Sequence, residues 1–121
     1  MSDTGSPLRL LHRIGRPDAT VLVVDERDDT RTLALTFFAS LGCRVAVAED
    51  LRRAAALLRL LAVDLVVACY DDDRARPAAE TLRACAGEVP ILTLAAGKDS
   101  LRELLAALGN AVDRAVTAAP N

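Results

Sequence analysis

The sequence contains no tryptophan, and its only aromatic residues are Phe37, Phe38 and Tyr70. A core without large rings must be built from Leu, Val, Ile and Ala, which favours close helix-to-sheet packing and leaves little room for a deep cofactor cavity. Clustered charge is also missing. The 15 Lys and Arg residues are scattered among 17 Asp and Glu, for a net charge of −2, so there is no electrostatic footprint for nucleic acid or an anionic membrane. No apolar run approaches the roughly 20 residues of a membrane-spanning helix. The start, Met1-Ser2-Asp3-Thr4-Gly5, lacks the basic and apolar regions of a signal peptide, and the expectation is a cytoplasmic protein. The three cysteines, Cys43, Cys69 and Cys85, have no metal-type spacing, and their odd number suits a reduced compartment. His12 is the single histidine, has no Ser or Cys partner, and no Gly-rich phosphate loop follows the first strand, so nothing supports a small α/β enzyme.

What is present is one domain's worth of chain: 121 residues, 52% hydrophobic and 26% charged. Residues 1–19 read as an N-terminal extension in which Leu8, Leu11 and Ile14 share a helical face before Gly15-Arg16-Pro17 ends it. Residues 20–121 read as the domain. Thr20-Val21-Leu22-Val23-Val24 is an uninterrupted β-branched run of the kind buried on both faces of a parallel sheet. It stops at Asp25-Glu26-Arg27-Asp28-Asp29. A helix is predicted from about Asp29 to Leu41 with Leu33, Phe37 and Leu41 at helical spacing, and Gly42 just past its end. A second strand covers Arg44–Ala48. Glu49 and Asp50 cap a helix through about Leu61, and a third strand runs Leu65–Cys69. An acidic loop, Tyr70 to Asp73, leads to a helix from about Pro77 to Ala86. The fourth strand is Ile91–Ala95, followed by a helix capped by Ser100, a stop at Gly109-Asn110, and a short fifth strand at Ala115–Thr117. Strands and helices alternating at this spacing predict a doubly wound α/β sheet, with any site beyond the carboxyl ends of the strands.

Val21-Leu22-Val23-Val24-Asp25-Glu26, then Ala48-Glu49-Asp50 leading into an Ala/Leu-rich helix, then Asp64-Leu65-Val66-Val67, then Pro90-Ile91-Leu92, resemble the receiver domain of two-component response regulators. The similarity spans about Thr20 to Pro120. It implies a flavodoxin-like five-stranded parallel sheet of order 2-1-3-4-5. It also implies a phosphorylation switch: an aspartate ending strand three takes a phosphoryl group, an acidic pair after strand one holds Mg²⁺, and a Ser or Thr ending strand four and a Lys ending strand five bind the phosphoryl oxygens. Carried over position by position, only the acidic pair is retained, as Asp25 and Glu26. The acceptor position is Cys69, the hydroxyl position is Ala95, and the lysine position is Ala118 or Ala119. Lys98, the only lysine, lies in the loop after strand four.

A thiol cannot supply the hard oxygen that Mg²⁺ prefers, and with hydroxyl and lysine also gone the charge stabilisation of phosphoryl transfer is lost. The expectation is a degenerate pseudo-receiver, a non-enzymatic interaction module whose partner is a histidine kinase, an effector domain or another receiver. It needs no cofactor, with at most weak Mg²⁺ binding at Asp25 and Glu26. The competing reading is a receiver that accepts a phosphoryl group at a displaced acid such as Asp71; a solvated acidic turn is the plainer reading of Asp71-Asp72-Asp73. Cys69 as a thiol sensor would need nearby cations to lower its pKa, whereas Asp25, Glu26 and Asp71 would raise it, so a quiet packing cysteine is expected. The fifth helix of a receiver is missing after the fifth strand, which would leave half of one sheet face bare. The segment Pro7–Ile14 is the spare helix that could cover it, within the chain or across a homodimer.

Overall fold

The apolar runs and their caps produce, in order, β1 (Thr20–Val24), α1 (Asp28–Ser40), β2 (Arg44–Ala48), α2 (Leu51–Leu60), β3 (Leu65–Tyr70), α3 (Asp72–Ala86), β4 (Ile91–Ala95) and α4 (Lys98–Ala118). The computed structural model describes residues 14–15, 18–70, 72–95 and 98–118. The strands form one parallel sheet of order β2-β1-β3-β4. β1 and β3 are central, which explains why neither alternates polar with apolar: every side chain from Val21 to Val24 and from Leu65 to Tyr70 is buried. Register is set at the amino ends, where Asp64 donates its N–H to the Thr20 carbonyl at 2.8 Å and accepts the Thr20 N–H on Oδ2 at 2.9 Å. At the other end, Val24 stands between Ala48 and Ala68.

Each sheet face has its own core. On one, Ala34 and Phe38 of α1 and Leu101, Leu105 and Leu108 of α4 pack on Val21, Val23, Leu65 and Val67. On the other, Ala54 of α2 and Ala78 and Leu82 of α3 pack on Leu22, Val24, Val66 and Ala68. Alanine at the contact points lets the helices lie close to the strands, as a core poor in rings requires. Asp50 caps α2 by accepting the Arg53 N–H at 2.8 Å.

The structure corrects the sequence reading in four places. First, the fifth strand is not formed: α4 runs unbroken from Lys98 to Ala118, through Gly109-Asn110 and through Ala115–Thr117. Glycine inside a helix costs only about 1 kcal/mol, and in the sequence Val112, Ala115 and Val116 continue the spacing of Leu101, Leu105 and Leu108, so the helix outlasts its weak stop signal. Ser100 lies within α4 rather than at its cap. Second, the face expected to be bare is covered, because α4 packs beside α1 in the place left for the missing fifth helix. Ile14 is buried in the same cluster, and its carbonyl accepts the Cys43 thiol at 3.5 Å; the rest of the predicted N-terminal helix, His12 included, lies outside the described residues. Third, α3 starts at Asp72, five residues before Pro77. Aspartates favour a helix N-terminus, and Pro77, in the second turn, removes one backbone bond and crowds the carbonyl four residues back without ending the helix. Fourth, the buried stripe of α1 is Thr30, Ala34 and Phe38, while Leu33, Phe37 and Leu41 are only partly buried beside it. Among the described residues no helix is long and apolar enough to cross a membrane.

Phe38 is fully buried and meets Phe37 edge to face, with ring centroids 5.3 Å apart. Phe38→Ala is therefore expected to cost about 3–5 kcal/mol and Phe37→Ala roughly half that or less, read as the difference in urea unfolding free energy. Equal losses would contradict the assignment of the core stripe.

Candidate functional site

The carboxyl ends of the two central strands meet between Asp25 and Cys69. Asp25 follows the last residue of β1, and its N–H still donates to the Ala48 carbonyl of β2 at 3.0 Å. Its side chain is 1% exposed. Oδ1 accepts the Arg27 N–H at 2.9 Å, an Asx-type turn that swings the chain from β1 into α1. The Asp25 carbonyl accepts Arg31 Nη1 at 2.7 Å, and Arg31 also pairs with Asp28. Arg27 occupies the N-cap of α1 in an extended conformation, and its carbonyl takes the Thr30 hydroxyl at 3.1 Å. Glu26 is exposed.

Cys69 lies in β3 one step beyond the Val24–Ala68 pair and opposite Leu94 of β4. It is 2% exposed. Burial, then the negative charge of Asp25, then a hydrogen bond from the thiol to the Asp25 carboxylate push its pKa up from 9.0 to about 12, and the Arg27 charge offsets part of this. A thiol held protonated in this way is a weak nucleophile and a weak metal ligand. Cys43 is likewise pushed up by burial and then by the charge of Asp64, and it packs against the Ile14 carbonyl.

Of the positions singled out in the sequence, the structure brings Asp25 and Cys69 together and places Glu26 at the rim. Ala95 is the last residue of β4, in register with Tyr70, so a strand-end position is what it occupies. Ala118 is the last residue of α4, a 21-residue helix that starts at the carboxyl end of β4. At about 1.5 Å per residue it lies about 30 Å along the helix from Lys98; the lysine position of a fifth strand has no counterpart among the described residues, and Ala119 and Asp71 lie outside them. Lys98 opens α4. The sequence reading overlooked Arg27, whose Nη1 atom is buried. A lone arginine between Asp25-Glu26 and Asp28-Asp29 is the available signal.

The donor set does not suit a hard divalent ion, which takes six or more oxygens. One oxygen of Asp25 is engaged by the turn, Cys69 offers a protonated sulfur, and among the described residues no three His, Cys, Asp or Glu side chains are grouped to hold a metal. A groove of about 290 Å³ lined by Asp18, Thr20, Arg44, Val45, Ala46, Leu61 and Ala62 lies at the amino ends of the strands, away from these groups.

No protein-family model matches the chain, and no curated protein matches its sequence. Solved structures match in fold. A response regulator receiver protein from Pseudomonas putida gives a TM-score of 0.59 at 18% identity over 75% of this chain and 78% of its own. Chemotaxis protein CheY4 of Vibrio cholerae gives 0.62 at 18% identity over 80% of this chain and 98% of its own. The response regulator PhyR of Brucella abortus gives 0.61 at 14% identity over 91% of this chain and 56% of its own. The chain has the receiver fold with four strands among its described residues.

The sign of the Cys69 shift makes a pH dependence. Below about pH 9 the thiol is protonated in both folded and unfolded chains; between about 9 and 12 the unfolded chain ionises first, so the stability it contributes is lost as pH rises. The unfolding free energy of the wild type relative to Cys69→Ala should therefore fall from pH 8 to about 10.5, and native Cys69 should resist iodoacetamide while half-buried Cys85 is alkylated. A flat difference, or rapid Cys69 labelling, would contradict the shift.

Proposed function

We propose that the chain is a receiver-fold signalling module that acts through protein contacts, without phosphorylation and without an enzymatic activity of its own. The observation that supports this most strongly is Cys69, buried beside Asp25 at the position where the resemblance calls for a phosphoacceptor aspartate. A protonated thiol there is a poor nucleophile toward a phosphoryl group and adds no charge for Mg²⁺ to bridge. Ala95 at the end of β4 brings no hydroxyl, and the described residues include no strand-five lysine.

A partner would be another signalling protein of the cytoplasm: a histidine kinase, an effector domain or another receiver. In this reading the contact surface is the helix–strand side of the sheet, where β4 pairs only with β3 among the described strands and is flanked by α3 and α4. Such a surface needs no switching at Asp25 to be presented. The carboxylates Asp25 and Glu26 then serve the β1–α1 turn and the solvated rim, and the module works with no cofactor.

Incubation with a small-molecule phosphodonor and Mg²⁺, followed by intact-mass measurement, is expected to leave the protein's mass unchanged. A phosphoryl mass gain that disappears in Asp71→Asn would replace this reading with that of an acceptor displaced by two residues.

A further inference from the structure

A buried carboxylate and a half-buried arginine sit at the end of β1. Asp25 is 1% exposed, and its Oδ2 has no N–H or O–H donor against it among the described residues. A carboxylate held this way is strongly destabilising unless a positive charge stands near it. Arg27 is two residues on. Its backbone N–H already holds Asp25 Oδ1 at 2.9 Å, and its side chain brings Nη1 out of solvent although arginine is among the residues least often buried. The Arg27 charge reaches β3 as well, where it is the one influence that favours the ionised form of Cys69. One guanidinium nitrogen is thus turned into the protein within two residues of Asp25, near enough for its charge to act on Cys69.

We propose that Arg27 is the resident cation of this site, a tethered guanidinium that balances Asp25 through space and takes the place a divalent ion would otherwise need. The inference rests on the phosphorylation-independent reading above and extends it to how the site is held. A guanidinium is charged at every pH the protein meets and cannot diffuse away. Charge balance at the strand ends is thus written into the chain and does not follow the concentration of Mg²⁺ or of a phosphodonor. The same charge disfavours a metal by repulsion.

The test uses the full chain, Arg27→Ala and Arg27→Gln, with Mn²⁺ as the probe. Both variants are expected to melt about 4 °C or more below wild type, to bind Mn²⁺ at least tenfold more tightly by electron paramagnetic resonance titration, and to regain part of the melting temperature when Mn²⁺ is saturating. Arg27→Gln keeps most of the side chain's bulk, so it reads the charge even where Arg27→Ala fails to fold. In an Asp25→Asn background the Arg27→Gln shift should fall to less than half. A Gln variant indistinguishable from wild type in melting and in Mn²⁺ binding overturns the inference, and so does a shift undiminished by Asp25→Asn, which would mark packing rather than charge. The wild-type mass separates the two readings: phosphoryl uptake defeats the parent reading, whereas an unchanged mass with indifferent Arg27 variants defeats this inference alone.

Discussion

β3 is buried from Leu65 to Tyr70, and a strand covered on both faces can end in an ionisable side chain only where something nearby balances or neutralises it. That constraint organises the whole carboxyl end of the sheet. Cys69 satisfies it by staying neutral, with its proton directed to Asp25. Asp25 satisfies it by giving one oxygen to the turn into α1 and by lying close to the basic residues that begin that helix. Cys69 and Asp25 depend on each other: the carboxylate stabilises the thiol proton, and the neutral thiol spares the carboxylate a second negative charge. An aspartate at position 69 would put two carboxylates in the same dry space, where one must gain a proton or a cation.

The remainder of the fold keeps that end closed. α1 and α4 seal one face with Phe38, Leu101, Leu105 and Leu108, and α2 and α3 seal the other with Ala54, Ala78 and Leu82. The amino end is different in character. There Asp64 holds Thr20 with a side-chain and a backbone hydrogen bond, fixing β1 against β3 so that Val24 and Ala68 finish level and Asp25 and Cys69 meet. Register at one end of the sheet thus sets the chemistry available at the other.

Much of this was legible in the sequence, because parallel strands buried on both faces leave long β-branched runs with acidic or glycine punctuation. The bounds of β1, β2 and β4 and the cap at Asp50 could be read directly. The strand-end positions Asp25, Cys69 and Ala95 followed from those bounds. What could not be read was decided by tertiary packing. Gly109-Asn110 looks like a stop, yet a helix anchored by Leu101, Leu105 and Leu108 against α1 has enough to gain to pass it. Phe37 and Phe38 are adjacent and equally apolar, and only the tilt of α1 on the sheet decides which one goes inside. Charge in a strand-ending loop is ordinarily solvated; that one guanidinium nitrogen of Arg27 is turned inward is a property of the turn, which one position of sequence does not reveal.

The direct passage from β4 to a helix on the α1 face has a consequence for how such chains vary in length. With right-handed crossovers, a helix placed over α2 and α3 together with one further strand could be inserted between Ala95 and Lys98 without changing the neighbour of any existing strand. α4 would simply be displaced sideways by about one strand spacing, some 4.8 Å, and would still close the same face. Growth and shortening at this edge are therefore modular, in whole strand–helix increments, and β4 stands between the Asp25–Cys69 pair and the place where the increments are added.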